Sequence, residues 1–113
     1  MKPYLLILLL AFSTFSYAGN IGLGQVVAVK QYDFSGNKTV KIYLDSSSSH
    51  VNSQCVENYR PVGTLTHAKH DADTISRMFS LATAAYMSGK KVRLYSSANT
   101  YEVDLVALQE EQF

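Results

Sequence analysis

Asp71-Ala-Asp-Thr-Ile-Ser-Arg-Met-Phe-Ser-Leu-Ala-Thr-Ala-Ala-Tyr-Met-Ser-Gly89 opens on two carboxylates, closes on a glycine, and carries apolar residues at Ile75, Met78, Phe79, Ala82 and Tyr86. Carboxylates suit the positive end of a helix and glycine its left-handed cap, and steps of three and four residues put those apolar side chains on one face. The stretch predicts one amphipathic helix, whose apolar stripe has to be covered by the rest of the chain. From Thr74 to Ser88 its only charge is Arg77, and the face opposite the stripe is Ser80, Thr83, Ala84 and Met87. A helix without a charged outer face usually has protein on both sides, so this one is expected to pack against other subunits or a partner.

What surrounds the helix reads as strands. Ile21 to Lys30 is apolar and β-branched without helical spacing, and it stops at the polar turn Asp33-Phe-Ser-Gly-Asn-Lys38. Lys38 to Asp45 alternates, with Val40, Ile42 and Leu44 on one face and Lys41, Tyr43 and Asp45 on the other, so the two runs predict a hairpin. Ser46 to Asn58, which contains Cys55, reads as a long mobile loop. Arg60 to Thr66 holds one short strand, which Pro61 restricts to an edge or a strand start. Beyond the helix, Lys91 to Ser97 alternates Val92 and Leu94 against Arg93 and Tyr95, and a turn near Ser97-Ala-Asn-Thr100 follows. Tyr101 to Leu108 then predicts a final strand with Tyr101, Val103, Leu105 and Ala107 on one face. The order β-β-(β)-α-β-β is α+β and mainly β. It fits a small five-stranded, partly open barrel of the oligonucleotide- and oligosaccharide-binding type, with a plain two-layer α+β sandwich as the competing architecture.

The first 18 residues are of another kind. Lys2 precedes the apolar run Tyr4 to Phe12, and Ser16-Tyr17-Ala18 supplies the small-x-small pattern of signal peptidase, so residues 1–18 read as a secretory signal peptide cleaved after Ala18. The run is shorter than the roughly 20 residues that span a bilayer. The protein is therefore expected to be exported, periplasmic or secreted, and not membrane-spanning, with residues 19–113 as a single domain. The 113 residues are 47% hydrophobic and 17% charged, with ten Lys and Arg against nine Asp and Glu. That near-balance excludes the basic excess of a dedicated nucleic-acid binder. The single Cys55 cannot close an internal disulfide; in an oxidising compartment it is either buried and inert or paired with another chain.

Chemistry-bearing patterns are sparse. Ile21-Gly-Leu-Gly24 contains a GxG but opens a strand instead of following one, so it reads as permitting a bulge or a close backbone approach. His67-Ala-Lys-His70-Asp71-Ala-Asp73 offers metal-type ligands without a third firm one, and Asp71 or Asp73 reads more simply as a helix cap. Ser46 to Ser49 with His50, and Cys55 with a histidine, lack any flanking catalytic signature. Asn37-Lys-Thr39 matches a glycosylation sequon that matters only in a eukaryotic secretory pathway. No catalytic residue, metal or cofactor is assigned. The outward strand faces repeat a basic-then-tyrosine pattern, Lys41 with Tyr43 and Arg93 with Tyr95, and such side chains stack on sugar rings or bases. These four are the candidate binding residues.

Thr74 to Tyr95, with its Ser88-Gly-Lys-Lys-Val92 junction between helix and strand, resembles the corresponding segment in B subunits of subtilase-cytotoxin and pertussis-like toxins, and in small secreted bacterial proteins without an assigned role. The shared outline of a Gly-rich first strand, a mid-chain Cys, this helix and a last strand covers nearly all of Ile21 to Leu108. The resemblance implies the oligosaccharide-binding barrel, ring-shaped oligomers with the helices near the axis, and glycan recognition by the outer sheet. Those B subunits use paired cysteines, whereas Cys55 stands alone in this chain. The reading is a non-enzymatic exported binding protein for a glycan or surface partner, homo-oligomeric through Thr74 to Ser88; the alternative is a periplasmic structural or assembly module that docks a protein partner through its helix face.

Overall fold

The expected hairpin forms from β1 (Gly19–Phe34) and β2 (Asn37–Leu44), paired antiparallel from Phe34↔Asn37 to Val26↔Leu44. The computed structural model describes residues 19–34, 37–98 and 100–113. The expected signal peptide and its cleavage site, part of the turns at 33–38 and 97–100, and the side chains of Phe34 and Asn37 lie outside this description. Val40, Ile42 and Leu44 are buried, as their alternation requires.

β1 is longer than its apolar stretch suggested. Its second half pairs with β2, and its first half pairs with β5 (Lys91–Ser96), from Gly19↔Ser96 to Gln25↔Lys91. Two extra residues bend it: Ile21 between Asn20 and Gly22, and Val27 between Val26 and Ala28. Such bulges increase the local twist and let one strand serve two partners. β3 (Val56–Glu57), β4 (Arg60–Thr66) and β6 (Leu105–Leu108) complete an open six-stranded antiparallel sheet in the order β3-β4-β2-β1-β5-β6. Across its two ends, the Thr64 N–H donates to Tyr101 O at 2.8 Å and the Val103 N–H donates to Thr64 O at 2.9 Å, a parallel bridge between β4 and the segment leading into β6. Gly63 makes room for it, because a Cβ there would lie 2.3 Å from Val103 Cγ2.

The helix α1 (Ala72–Ser88) is capped as its sequence dictates. Asp71 Oδ1 accepts from the Thr74 N–H at 2.8 Å, and Gly89 sits at φ 71° with its N–H on Ala85 O. Its stripe is displaced by part of a turn from the expected one. Ile75, Ala82 and Ala85 are buried and Met78 and Phe79 pack against the core, while Tyr86 is 52% exposed. The small Ala85 brings the helix close to the sheet and leaves the bulky Tyr86 on the flank. The core beneath it is built from Ile21, Ile42, Leu44, Leu65, Val92 and Leu94, each fully or almost fully buried and stabilising by roughly 1.5–3 kcal/mol.

Two further expectations change. The segment after β2 is not loose: Leu23 and Ser49 exchange backbone hydrogen bonds at 2.8 and 2.9 Å, the Asn52 N–H reaches Ile21 O at 3.1 Å, and the Val62 N–H reaches Cys55 O at 2.9 Å. Backbone groups hold it, which side-chain polarity does not report. At the end of the chain, the strand expected over Tyr101 to Leu108 is regular only from Leu105, and the inward residues are Val103 and Val106, with Leu105 exposed. Asp104 causes the slip: its N–H donates to Tyr95 O, and its carboxylate takes the Ser97 N–H and hydroxyl, turning the chain out of phase. Among the described residues no helix is long and apolar enough to cross a membrane.

Candidate functional site

The outward face of the β1–β2–β4 sheet gathers the first candidate pair. Lys41 and Tyr43 stand opposite Lys30 and Ala28 of β1. β3 swings Glu57 over them: the Tyr43 hydroxyl donates to Glu57 Oε1 at 2.9 Å, and Lys41 Nζ donates to Oε2 at 3.1 Å. Lys30 Nζ lies 5.0 Å from the Tyr43 ring centroid, and Lys41 Nζ lies 5.6 Å from that of Tyr32, both within cation–π range. Beside this network is a cleft of about 270 Å³ lined by Ala28, Lys30, Tyr43, Glu57, Asn58 and Arg60.

The network fixes its own protonation. The Tyr43 hydroxyl first, and then Lys41, hold the Glu57 carboxyl below its ordinary range. Burial first, and then the Glu57 carboxylate, push the Tyr43 phenol up, so it stays a donor. Glu57 is thus an ionised acceptor with two donors already in place, while Lys30 and Arg60 face the cleft as cations.

The rim of the cleft is a tight turn. Glu57 pairs with Arg60, and the two residues between them, Asn58 and Tyr59, both take left-handed backbone angles, φ 54° and 67°. Two positive φ values are the requirement of a two-residue hairpin turn with the right twist. Asn tolerates that region, but an aromatic residue rarely occupies it, and retaining one there is a feature to explain by function. Tyr59 is 85% exposed, on the turn between the lining residues Asn58 and Arg60.

The second candidate pair lies elsewhere. Arg93 and Tyr95 sit on β5 opposite the first half of β1, with the Arg93 guanidinium 5.2 Å from the Tyr95 ring centroid. Arg93 Nε donates to Asn20 Oδ1 at 2.8 Å and Nη1 to Phe113 O at 2.9 Å, so the guanidinium is engaged by its own chain. The structure thus joins Lys41 and Tyr43 to Lys30, Glu57 and Arg60, and places Arg93 with Tyr95 on the neighbouring strand pair.

The chain matches no family model, no curated protein and no solved structure. The other chemistry-bearing residues are placed as follows. Asp71 is the helix cap, His67 is exposed, and His70 is half-buried with Nε2 2.6 Å from Val103 O and 3.5 Å from a Glu102 carboxylate oxygen. The His70 ring thereby ties the chain ahead of α1 to the segment that bridges Thr64. Among the described residues no group of three or more His, Cys, Asp or Glu is placed to hold a metal. Gly24 is a close-approach glycine, since a Cβ there would lie 1.9 Å from Ser48 Oγ and 2.7 Å from its Cβ. Cys55 is free and buried, and burial pushes its thiol up, which keeps it in the unreactive protonated form.

Sequence reasoning found Lys41 and Tyr43 from alternation but missed Lys30, Glu57, Tyr59 and Arg60. Glu57 and Arg60 flank Asn58-Tyr59, and an Asn-led pair between Val56-Glu57 and Arg60-Pro61 is the signal that could have placed a tight hairpin there.

Proposed function

We propose that this chain is an exported, non-enzymatic binding protein that holds a glycan in the cleft beside Lys30, Tyr43, Glu57 and Arg60. The observation that carries the reading is Tyr59, an aromatic ring 85% exposed on a turn whose backbone disfavours it. A sugar ring presents one apolar face and a rim of hydroxyls; the Tyr59 face takes the first, and the Lys30 and Arg60 donors with the Glu57 acceptor take the second. The strand order around α1 and the parallel bridge at Thr64 support a partly open barrel of the oligosaccharide-binding type, with β3 as a short addition that builds the rim. On this reading the chain acts in the manner of toxin B subunits, with Arg93 and Tyr95 as a subsidiary contact. The test is a glycan array probed with the exported form of the chain and with Tyr59→Ala. Glycans retained by the parent and lost by the variant support the proposal, and no signal at high protein concentration overturns it.

A second reading has its own observation. Tyr86 and Met87 are 52% and 78% exposed on a helix that lacks a charged outer face, which supports docking of a protein partner, or of a second copy, on α1. Light scattering of the parent and of Met87→Glu separates the two: a parent oligomer dissolved by the variant supports self-association through Thr74 to Ser88, and a monomer in both leaves a foreign partner.

A further inference from the structure

Beside the helix flank, β1 has an unused edge. Its first half is paired on both sides, by β5 and by the Ser49 and Asn52 backbone. From Val27 to Gln31 it pairs with β2 on one side, and its other edge has no ladder partner among the described residues. α1 faces that edge across a groove of about 460 Å³ lined by Val27, Val29, Phe79, Thr83, Tyr86 and Met87. Among the described residues none that lines the groove is charged, and Tyr86 and Met87 are exposed. An open strand edge and an apolar helix flank thus meet in one place.

We infer that a second copy of this chain closes the groove, its Val27–Gln31 edge pairing antiparallel with the same edge about a two-fold axis through Val29. The inference rests on the docking reading of α1, commits it to self-association and adds the strand pair. A two-fold contact has to be self-complementary. Backbone meets that demand, because an extended segment turned through 180° offers its own donors and acceptors back to itself. The side chains meet it too. With Val29 opposite Val29 of the second copy the two grooves join, and an uncharged lining brings no like charges together when doubled. A foreign strand finds no charge there to recognise. On the outward face, Lys30 stands opposite Ala28 of the second copy and not opposite another lysine. The two sheets then run on as one with both helices on the same side, so Tyr86 and Met87 of each copy lie over the joined edge. That supplies the protein layer that a helix without a charged outer face calls for.

The pairing also changes the cleft. Ala28 lines it, and side chains directly opposed across an antiparallel pair have Cβ atoms about 4.5–5.5 Å apart. Lys30 of the second copy is therefore brought to the wall of the first copy's cleft, and the exchange is mutual. Each copy adds a cation to the other's site, and both clefts open on one face of the joined sheet.

The experiment measures mass by light scattering over a concentration series, and amide hydrogen exchange at Val27 to Gln31, for the exported chain and for Ala28→Lys, Ala28→Glu and Met87→Glu. A dimer is expected, with the alternate amides of that edge slowing as concentration rises. Ala28→Lys sets a lysine opposite Lys30 twice in each dimer and should weaken dimerisation by about two- to thirtyfold, and Ala28→Glu should strengthen it by a similar factor. Both variants weakening it alike would overturn pairing about Val29. If Met87→Glu dissolves a dimer whose edge amides ignore concentration and whose Ala28 variants behave as the parent, strand pairing is overturned and the helix contact of the docking reading stands. A mass above two chains overturns the two-fold. A monomer at every concentration overturns the inference and leaves docking of a foreign partner.

Discussion

The two halves of β1 run as one strand and have opposite fates. Gly19 to Gln25 is enclosed, with β5 on one edge and the Ser49–Asn52 backbone on the other, and Ile21 and Leu23 are buried. Val26 to Phe34 carries Val27, Lys30 and Gln31 outward and has β2 along one edge. Side-chain size makes the difference. Gly22 and Gly24 lack the Cβ atoms that would press on Leu44, Pro61 and Ser48, so neighbouring backbone can close over the first half. The Val, Lys and Tyr residues of the second half keep chain away and leave a surface. One strand thus supplies both an enclosed stretch and an open one, divided by where its glycines lie.

The sharpest way to break that comparison uses its two bulged residues. Ile21 is 1% exposed and Val27 is 37% exposed. Ile21→Ala is expected to cost about 2–5 kcal/mol and Val27→Ala within about 0.5 kcal/mol, read from urea denaturation midpoints; equal losses would deny the asymmetry. Next in size, Gly24→Ala is expected to destabilise by about 1–3 kcal/mol, because Ser48 must retreat with the backbone that carries it; an unchanged melting temperature would show that the segment shifts freely.

On the β3–β4 turn, across the cleft from the open half, the expected sign reverses. Tyr59→Gly relieves a left-handed backbone and is expected to raise stability by up to about 1 kcal/mol while removing glycan retention. Stability and binding moving together would instead make Tyr59 a structural residue. The smallest effect is electrostatic. Glu57 is held below its ordinary value of 4.5 by Tyr43 and Lys41, so its contribution is present above that value and is lost as pH falls through the lower folded one. Its side chain is 39% exposed, so solvent screening limits the gain to about 0.2–1 kcal/mol. Glu57→Gln is expected to be less stable than the parent by that amount at neutral pH and to converge with it in acid, once the parent carboxyl is protonated, which flattens the acid limb of the stability curve.

Much of this architecture was legible because its signals are local. Asp71, Gly89 and the spacing of Ile75 and Ala82 are all written within one helix, and Val40, Ile42 and Leu44 within one strand. What escaped depends on partners distant in sequence. Asp104 breaks the last strand by binding Ser97 and Tyr95, which no alternation pattern encodes, and the Ser49 segment is held by Leu23 backbone atoms that carry no residue identity. Tyr86 was misplaced because hydrophobicity ranks it above Ala85, whereas the distance between helix and sheet favours the small residue. The site followed the same rule. Lys41 and Tyr43 showed in the alternation of β2, but Glu57 enters their network only through the β3–β4 hairpin, and Lys30 only through the register of β1 against β2.

The double duty of β1 also orders events in time. Its second half meets β2 across a turn, where Asp33 and Lys38 lie five positions apart, a contact that forms early and fast. Its first half waits: Asn20 finds Arg93 73 positions later. The first residues of the domain to be made are therefore the last to find their partners. Strain introduced at Gly24 should then appear as faster unfolding with refolding nearly untouched.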